Sequence, residues 1–137
     1  MRCFIDTNLL IYADDSGYPD KQQIATEFIT ELRLAGTGVL SIQVLQEYFA
    51  VATRKLGVDP ALAQRRMQLF GGFDVVIPSI EMLSAAADLH RLRNLSWWDA
   101  LVVQAALSSG CTVLLSEDMQ HGEIISGLRI ENPFLST

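Results

Sequence analysis

Short apolar runs alternate with longer segments of helical periodicity along the whole chain. Three of the runs are apolar at every position: Cys-Phe-Ile at 3–5, Val-Val-Ile at 75–77 and Val-Leu-Leu at 113–115. Continuous apolar runs are typical of parallel strands that are covered on both faces. Strands that alternate with helices favour an α/β domain with helices on both sides of the sheet. We therefore predict an α/β fold with a central, mostly parallel sheet of four to five strands flanked by helices.

Turn and capping residues divide this pattern into individual elements. The predicted strands cover residues 2–5, 38–41, 73–77, 112–116 and 128–131. The predicted helices cover residues 20–35, 43–56, 60–70, 79–93 and 96–110, with a short helix after the first strand. Gly36 supplies the stop of one helix, and Asp59-Pro60 supplies the N-cap and first residue of another. No linker or repeat interrupts the series, so residues 1–137 are expected to form a single domain.

Composition and cysteine content limit the class of protein. Hydrophobic residues make up 50% and charged residues 19% of the chain, which is typical of a globular domain and not of a disordered one. No apolar run approaches the ~20 residues of a membrane helix, and Asp6 interrupts the N-terminal run that a signal peptide would need. Cys3 and Cys111 provide neither a disulfide framework nor metal-ligand spacing. We therefore expect a cytoplasmic protein with buried, reduced thiols and no membrane contact.

The net charge is −6, and this argues against a nucleic-acid partner, because binding to phosphates generally requires a basic surface. The argument weakens if some of the acids hold metal ions. Two divalent cations add four positive charges and bring −6 to −2. The charge therefore lowers the expectation of nucleic-acid binding without excluding it.

Four acidic residues occur where an apolar segment meets a turn or begins a helix: Asp6, Glu47, Asp99 and Asp118. Carboxylates beside buried elements are costly unless a positive charge neutralises them. The only lysines are Lys21 and Lys55, and no arginine lies near three of the four acids in sequence. In parallel α/β folds the carboxyl ends of the strands form the binding edge, and Asp6 and Asp118 both follow strands. These features predict a divalent metal site at that edge.

Asp6 and Glu47 each have a structural alternative. Asp6 is a good N-cap for the short first helix, although Thr7 and Asn8 could cap it equally well. Glu47 lies on the polar side of its predicted helix together with Gln43, so periodicity alone predicts a solvated side chain. A structural role and a functional role both remain open for these two acids.

Asp99 and Asp118 also have alternatives. Asp99 forms a Ser-x-x-Asp capping box with Ser96, but the helix that it begins is apolar almost all round and is therefore expected to be central and buried. Asp118 is compatible with an ordinary acidic turn, and its neighbour Glu117 is an equally good candidate ligand. The local sequence does not decide between Glu117 and Asp118.

The donor atoms at these positions are all oxygens. Oxygen ligands suit Mg²⁺ or Mn²⁺, whereas zinc prefers histidine and cysteine. His90 lies on a predicted helix and His121 lies alone in a turn, so neither completes a zinc site. We therefore expect Mg²⁺ or Mn²⁺.

Several motifs resemble those of the PIN-domain nucleases. They are Ile-Asp-Thr-Asn at 5–8, Trp-Asp-Ala at 98–100 and Leu-Ser-Glu-Asp at 115–118, with Glu47 between the first and second. Within this family the chain is most similar to the toxins of VapBC toxin–antitoxin systems, and the similarity extends over essentially the whole length. The resemblance implies a PIN-like three-layer sandwich and a metal-dependent RNA-cleaving activity.

The resemblance also implies roles for individual residues and partners. Asp6, Glu47, Asp99 and Asp118 match the acidic quartet of the family, which implies that they are the catalytic and metal-binding residues. Asn8 and Ser116 match the polar residues that support the quartet. His121 stands near the position where many relatives have a further acid, which puts a second metal ion in doubt. A small antitoxin that inserts a basic segment into the acidic pocket, and a homodimer, are the implied partners.

Two surfaces are candidates for contact with RNA or protein. Four basic residues on the two helices after the second strand are candidates for RNA phosphate contacts, although a solvated face explains them equally well: Arg54, Lys55, Arg65 and Arg66. Three apolar residues are candidates for the dimer or antitoxin surface: Phe70, Phe73 and Trp97.

Three other classes of protein were weighed against a nuclease. A receiver domain or an aspartyl phosphatase requires a lysine late in the chain, but the last lysine is Lys55. The phosphatase would also require a second acid two residues after Asp6, where Asn8 stands. A catalytically inactive PIN-like domain that serves as a binding module remains the main alternative.

Overall fold

The computed structural model describes residues 1–135 and folds them into six strands and six helices. The strands are β1 (Cys3–Ile5), β2 (Gly38–Ser41), β3 (Asp74–Val76), β4 (Val113–Leu115), β5 (Ile124–Ile125) and β6 (Leu128–Glu131). The helices are α1 (Thr7–Asp14), α2 (Pro19–Ala35), α3 (Ile42–Arg54), α4 (Pro60–Phe70), α5 (Ile80–Arg93) and α6 (Trp97–Ser108). The predicted α/β alternation of strands and helices is confirmed.

All six strands join one sheet in the order β3-β2-β1-β4-β6-β5. Every pair is parallel except β5 and β6, which are antiparallel. The mostly parallel sheet is as predicted, but it has one strand more than the four to five expected. The additional strand, β5, has only two residues, which is too short to produce a periodic signal in the sequence.

The predicted helix ends are confirmed, although Asp59 occupies the N-cap position of α4 without a side-chain capping hydrogen bond. Gly36 ends α2 with a φ of 69°, a left-handed conformation that glycine adopts without strain. The Ser79 hydroxyl accepts a hydrogen bond from the Met82 N–H (3.2 Å) at the start of α5. Pro60 occupies the first turn of α4, where its missing N–H costs nothing.

The strands of the central sheet are buried between the helices. β1 and β4 are buried at every position, as their continuous apolar sequences predicted, and β2 is buried as well. The same prediction is wrong for the run at 75–77: Val75 and Val76 lie in the edge strand β3 and are only half-buried, and Ile77 is 74% exposed.

Gly38 in β2 must be a glycine, because a Cβ there would lie 2.6 Å from the ring of Phe73. Cys3 and Cys111 are buried free thiols, as expected, and burial raises the pKa of both. Within residues 1–135, no helix has the length and apolar character that a membrane crossing needs.

A buried polar network joins α1, α3 and α4. The Asp14 carboxylate accepts hydrogen bonds from the Tyr48 hydroxyl and from the Arg66 guanidinium. The side chain of Asp14 is only 7% exposed, so the pair with Arg66 neutralises an otherwise buried charge. Arg66 is therefore engaged within the protein, unlike a freely solvated phosphate-binding residue.

The apolar surface differs from the one expected. Phe70 was predicted to be exposed, which is wrong: it is buried and packs edge-to-face against Tyr48, with ring centroids 5.1 Å apart. Phe73 and Trp97 are half-buried. The exposed aromatic side chain is Trp98, which is 63% accessible.

Candidate active site

Parallel pairing sets the carboxyl ends of β1 and β4 side by side at the middle of the sheet. Asp6 follows directly on β1, and Asp118 lies three residues beyond β4. On the other side of β1, β2 leads without a break into α3, which carries Glu47. The topology thus brings acids that are separated by up to 112 residues to one edge of the sheet.

Asp6 is the buried centre of this arrangement. It is the N-cap of α1, and one carboxylate oxygen, Oδ1, accepts a hydrogen bond from the Thr7 N–H (2.8 Å). The other oxygen, Oδ2, accepts one from the hydroxyl of Ser116 (2.7 Å), which is fully buried. Burial raises the pKa of Asp6 to about 6, the two hydrogen bonds oppose this rise, and the negative charges of Asp118 and Glu47 add to it.

Glu47 is half-buried instead of fully solvated, because α1 packs against α3 on this side. The Thr7 hydroxyl donates a hydrogen bond to Oε2 of Glu47 (2.8 Å), and the Gln43 amide donates one to Oε1 (3.0 Å). Thr7 therefore connects Asp6 to Glu47 through its own N–H and hydroxyl. The sequence alone did not reveal a supporting role for Thr7 or Gln43. The i, i+4 spacing of Gln43 and Glu47 on one helix was nevertheless a signal for the hydrogen bond between them.

Asp118 and Glu117 point in different directions. Asn8 donates a hydrogen bond to Oδ2 of Asp118 (3.1 Å), and the Asp118 N–H donates one to the Ser116 hydroxyl (3.2 Å). Glu117 instead pairs with the ammonium of Lys21 (2.5 Å), which the sequence gave no reason to expect. Asp118 therefore lies with the acidic group, whereas the charge of Glu117 is already compensated.

Asp99 begins α6 and makes the predicted capping contact. Its N–H donates a hydrogen bond to the hydroxyl of Ser96 (3.1 Å). Burial raises the pKa of Asp99, and the negative charges of Asp118 and Glu47 contribute in the same direction. Asp118 and Glu47 therefore lie within electrostatic range of both Asp6 and Asp99.

The two histidines form hydrogen bonds with backbone groups and not with the four acids. The Nδ1 atom of His90 is 2.6 Å from the Leu95 carbonyl, and Nδ1 of His121 accepts a hydrogen bond from the Asn132 N–H (3.0 Å). In the part of the chain that the structure describes, no three His, Cys, Asp or Glu side chains are grouped as closely as a bound metal ion requires. The acidic side chains instead form hydrogen bonds with different partners, as expected for like charges that repel one another.

The donor set nevertheless fits Mg²⁺ or Mn²⁺ in its chemistry. It consists of hard carboxylate oxygens, with further oxygen donors on Asn8 and Ser116. Burial is the main cause of the raised pKa of Asp6 and of Asp99, and the negative charges of Asp118 and Glu47 add to it. A cation removes this repulsion, and the exposed Asp118 can turn toward one without disturbing the core.

A cleft with a volume of about 390 Å³ is lined by two of the four acids, Glu47 and Asp118, and also by Glu117. Its lining combines Asn8, Glu47 and Asp118 with the aromatic rings of Tyr12 and Tyr18. Lys55 contributes a positive charge to the wall. Three of the four predicted basic residues are exposed and form no ion pair within residues 1–135: Arg54, Lys55 and Arg65.

The model of the PIN domain family matches residues 3–124 of this chain. The chain belongs to the PIN domain family. The matched range includes all four acids, and the family resemblance inferred from the motifs is confirmed. A sequence comparison of this PIN domain with curated proteins finds no match.

Solved structures with the same fold come from toxin–antitoxin systems. A toxin–antitoxin complex from Klebsiella pneumoniae is 17% identical, with a TM-score of 0.74 and coverage of 96% of this PIN domain and 98% of that chain. VapBC2 from Rickettsia felis, bound to a DNA fragment from its promoter, is 18% identical, with a TM-score of 0.68 and coverage of 96% and 98%. Mycobacterium tuberculosis VapC20, a Sarcin-Ricin loop cleaving toxin, is 17% identical, with a TM-score of 0.67 and coverage of 85% and 89%. These similarities establish the PIN-like fold.

Proposed function

We propose that this PIN domain is a metal-dependent endoribonuclease that hydrolyses RNA phosphodiester bonds, and that it is the toxin of a type II toxin–antitoxin pair. One observation carries the proposal: Asp118 and Glu47, from separate elements, lie within electrostatic range of both the buried Asp6 and Asp99. The burial of Asp6 is costly for stability, because it raises the pKa of that carboxyl group. A stability cost at a single edge of an α/β sheet is characteristic of a functional site.

Asp6 and Asp99 are the proposed direct ligands of the metal, and Glu47 and Asp118 complete the site directly or through water. Mg²⁺ or Mn²⁺ bound here would supply a water activated near neutral pH and would offset the charge that develops on the phosphate. The carboxylates require no lysine for this role, which agrees with the small number of lysines in the chain.

The other polar residues hold the carboxylates in position. Ser116 donates to Asp6, which fixes the plane of that carboxylate, and Asn8 donates to Asp118. Thr7 and Gln43 each donate to one oxygen of Glu47, so its carboxylate faces the cleft. Such supporting hydrogen bonds typically change metal affinity or activity by about 10–100-fold.

The proposed RNA substrate and antitoxin agree with the surroundings of the site. Arg54, Lys55 and Arg65 are proposed to contact phosphates, whereas Arg66 is engaged by Asp14. An arginine of an antitoxin would pair with the free carboxylates in the cleft. The similar structures include a toxin–antitoxin complex and a Sarcin-Ricin loop cleaving toxin, which supports both proposals. A homodimer in the cytoplasm is the proposed assembly.

The decisive experiment for this function is metal removal and restoration. Purified protein is incubated with structured RNA in Mg²⁺, in EDTA, and in EDTA followed by excess Mg²⁺ or Mn²⁺. We expect cleavage in Mg²⁺, complete loss in EDTA and recovery on restoration, measured by gel separation of end-labelled RNA. Binding of RNA without cleavage in any metal would instead support the alternative, a catalytically inactive binding module.

Asp118 and Glu117 are distinguished by a matched pair of substitutions. Asp118→Asn removes a proposed ligand and should lower kcat/KM by about 10–100-fold. Glu117→Gln removes a carboxylate that pairs with Lys21 and should change kcat/KM by less than about threefold, since the charge of Glu117 is already compensated by that partly exposed pair. Equal losses in the two variants, measured at saturating Mg²⁺, would contradict the assignment of Asp118.

A further inference from the structure

A second cavity of about 240 Å³ lies between the starts of α3, α5 and α6, beyond the end of β3. Its lining contains no charged residue. Apolar groups form most of the wall, including Met82 and Leu101, and three glutamine side chains supply polar atoms: Gln43, Gln46 and Gln104. Pockets for drug-sized ligands typically have volumes of about 300–1,000 Å³. This cavity is smaller, so it suits one small planar group.

Two features of this cavity have no role in holding the fold together. Trp98 forms one wall, yet its side chain is 63% exposed to solvent. The side-chain amides of Gln46 and Gln104 form no hydrogen bond with any residue in the range 1–135. An open aromatic face beside unengaged amide donors and acceptors is the combination with which proteins bind unpaired bases.

The cavity is directly connected to the acidic site. Gln43 lines the cavity and also donates a hydrogen bond to Glu47 (3.0 Å). Trp98 lines the cavity and immediately precedes Asp99. A nucleotide whose phosphate lies at the acids therefore has a neighbouring base within reach of the cavity.

We propose that this cavity binds one unstacked nucleobase of the RNA, next to the phosphate that is cleaved. The inference rests on the proposed function and adds a specificity site to it. A base fits the lining better than a phosphate or a charged peptide does, because the lining is neutral. Trp98 stacks on the base, and the glutamine amides read its edge, since an amide carries both a donor and an acceptor.

The first test measures binding without cleavage. The chain has two tryptophans, so Trp97→Phe combined with Asp6→Asn gives a non-cleaving protein in which Trp98 is the only tryptophan. Single-stranded RNA should quench its fluorescence. In a series of RNAs with a single abasic nucleotide, one position should abolish the quenching and raise Kd by about 5- to 150-fold, the range of one base–aromatic stack. Equal quenching and Kd across the series would overturn the proposal.

The second test measures cleavage by the otherwise native protein. Trp98→Ala should raise KM by about 5- to 150-fold with little change in kcat, since the base contact is made before and during the reaction. The sensitive abasic position should then have no further effect. Leu34→Ala, which truncates an exposed apolar residue on α2, is the matched control and should leave KM unchanged.

The outcomes separate this inference from the proposed function. Efficient cleavage without any effect of an abasic position would contradict the base-binding site and support the nuclease. Fluorescence quenching that depends on one abasic position, without cleavage in any metal, would support the base-binding site and contradict the nuclease. Analytical ultracentrifugation could instead find that Trp98→Ala changes the mass of the assembly, while the effects of the abasic positions stay unaltered. This result would mean that a second copy of the chain covers the cavity, and it would overturn the proposal.

Discussion

Asp6→Asn is expected to abolish RNA cleavage while the fold stays intact. Asp6 is the only one of the four acids that is buried, and it accepts hydrogen bonds from both Thr7 and Ser116. An amide has nearly the same shape and caps a helix as well as a carboxylate does, but it lacks the charge that a cation requires. Loss of supporting residues costs about 10–100-fold, so loss of this ligand should lower kcat/KM by more than about 100-fold.

The measurement is kcat/KM on a defined RNA in saturating Mg²⁺, with circular dichroism to verify the fold. Asp20→Asn is the matched control, because Asp20 is an exposed acid in the first turn of α2 that does not line the cleft. Full activity of Asp6→Asn would sink the assignment of Asp6 as a ligand. An equal loss in Asp20→Asn would mean that net charge, and not the site, controls cleavage.

The same substitution is expected to stabilise the metal-free protein at neutral pH. The pKa of Asp6 rises from 3.8 to about 6 on folding, chiefly because of burial. Between these values the folded state holds a proton that the unfolded state has lost, so the contribution of Asp6 to stability falls as pH increases and stays low above about 6. The rise in pKa corresponds to about 3 kcal/mol of unfolding free energy.

Urea unfolding of the EDTA-treated proteins tests this expectation. The wild type and Asp6→Asn should have similar unfolding free energies near pH 4, and the variant should be more stable by about 3 kcal/mol at pH 7. Mg²⁺ should stabilise the wild type at pH 7 and leave the variant unchanged, because ligands stabilise only the state that binds them. A difference between the proteins that does not vary with pH would contradict a raised pKa of Asp6.

Local signals in the sequence predicted most of the fold. Gly36, Ser79 and Pro60 set helix ends through their own backbone or hydroxyl chemistry, which requires no knowledge of distant residues. Continuous apolar runs identified the buried strands β1 and β4 for the same reason, but the run at 75–77 belongs to an edge strand, and the position of a strand in the sheet is not a local property. The strand β5 escaped prediction because its two residues pair with β6, and this pairing depends on the turn between them and not on a local pattern.

The acidic site was less predictable, because its contacts join residues far apart in the chain. Periodicity placed Glu47 on a solvated helix face. In the structure Glu47 accepts a hydrogen bond from Thr7, which is 40 residues away in the sequence. Phe70 was expected at the surface, although it packs on Tyr48 of the preceding helix. The different directions of Glu117 and Asp118 depend on Lys21, which is 96 residues from its partner. Such distances exceed what spacing and composition reveal.

The position of β4 in the sheet determines when the acidic site can form during synthesis of the chain. β1 is an internal strand and requires β4 as one of its two neighbours, yet β4 begins only at Val113. A nascent chain that ends before Val113 leaves one edge of β1 unpaired and lacks Ser116, the hydroxyl partner of Asp6. Long-range parallel pairing of this kind also forms slowly. The acidic site is therefore complete only after residues 113–118 have been synthesised.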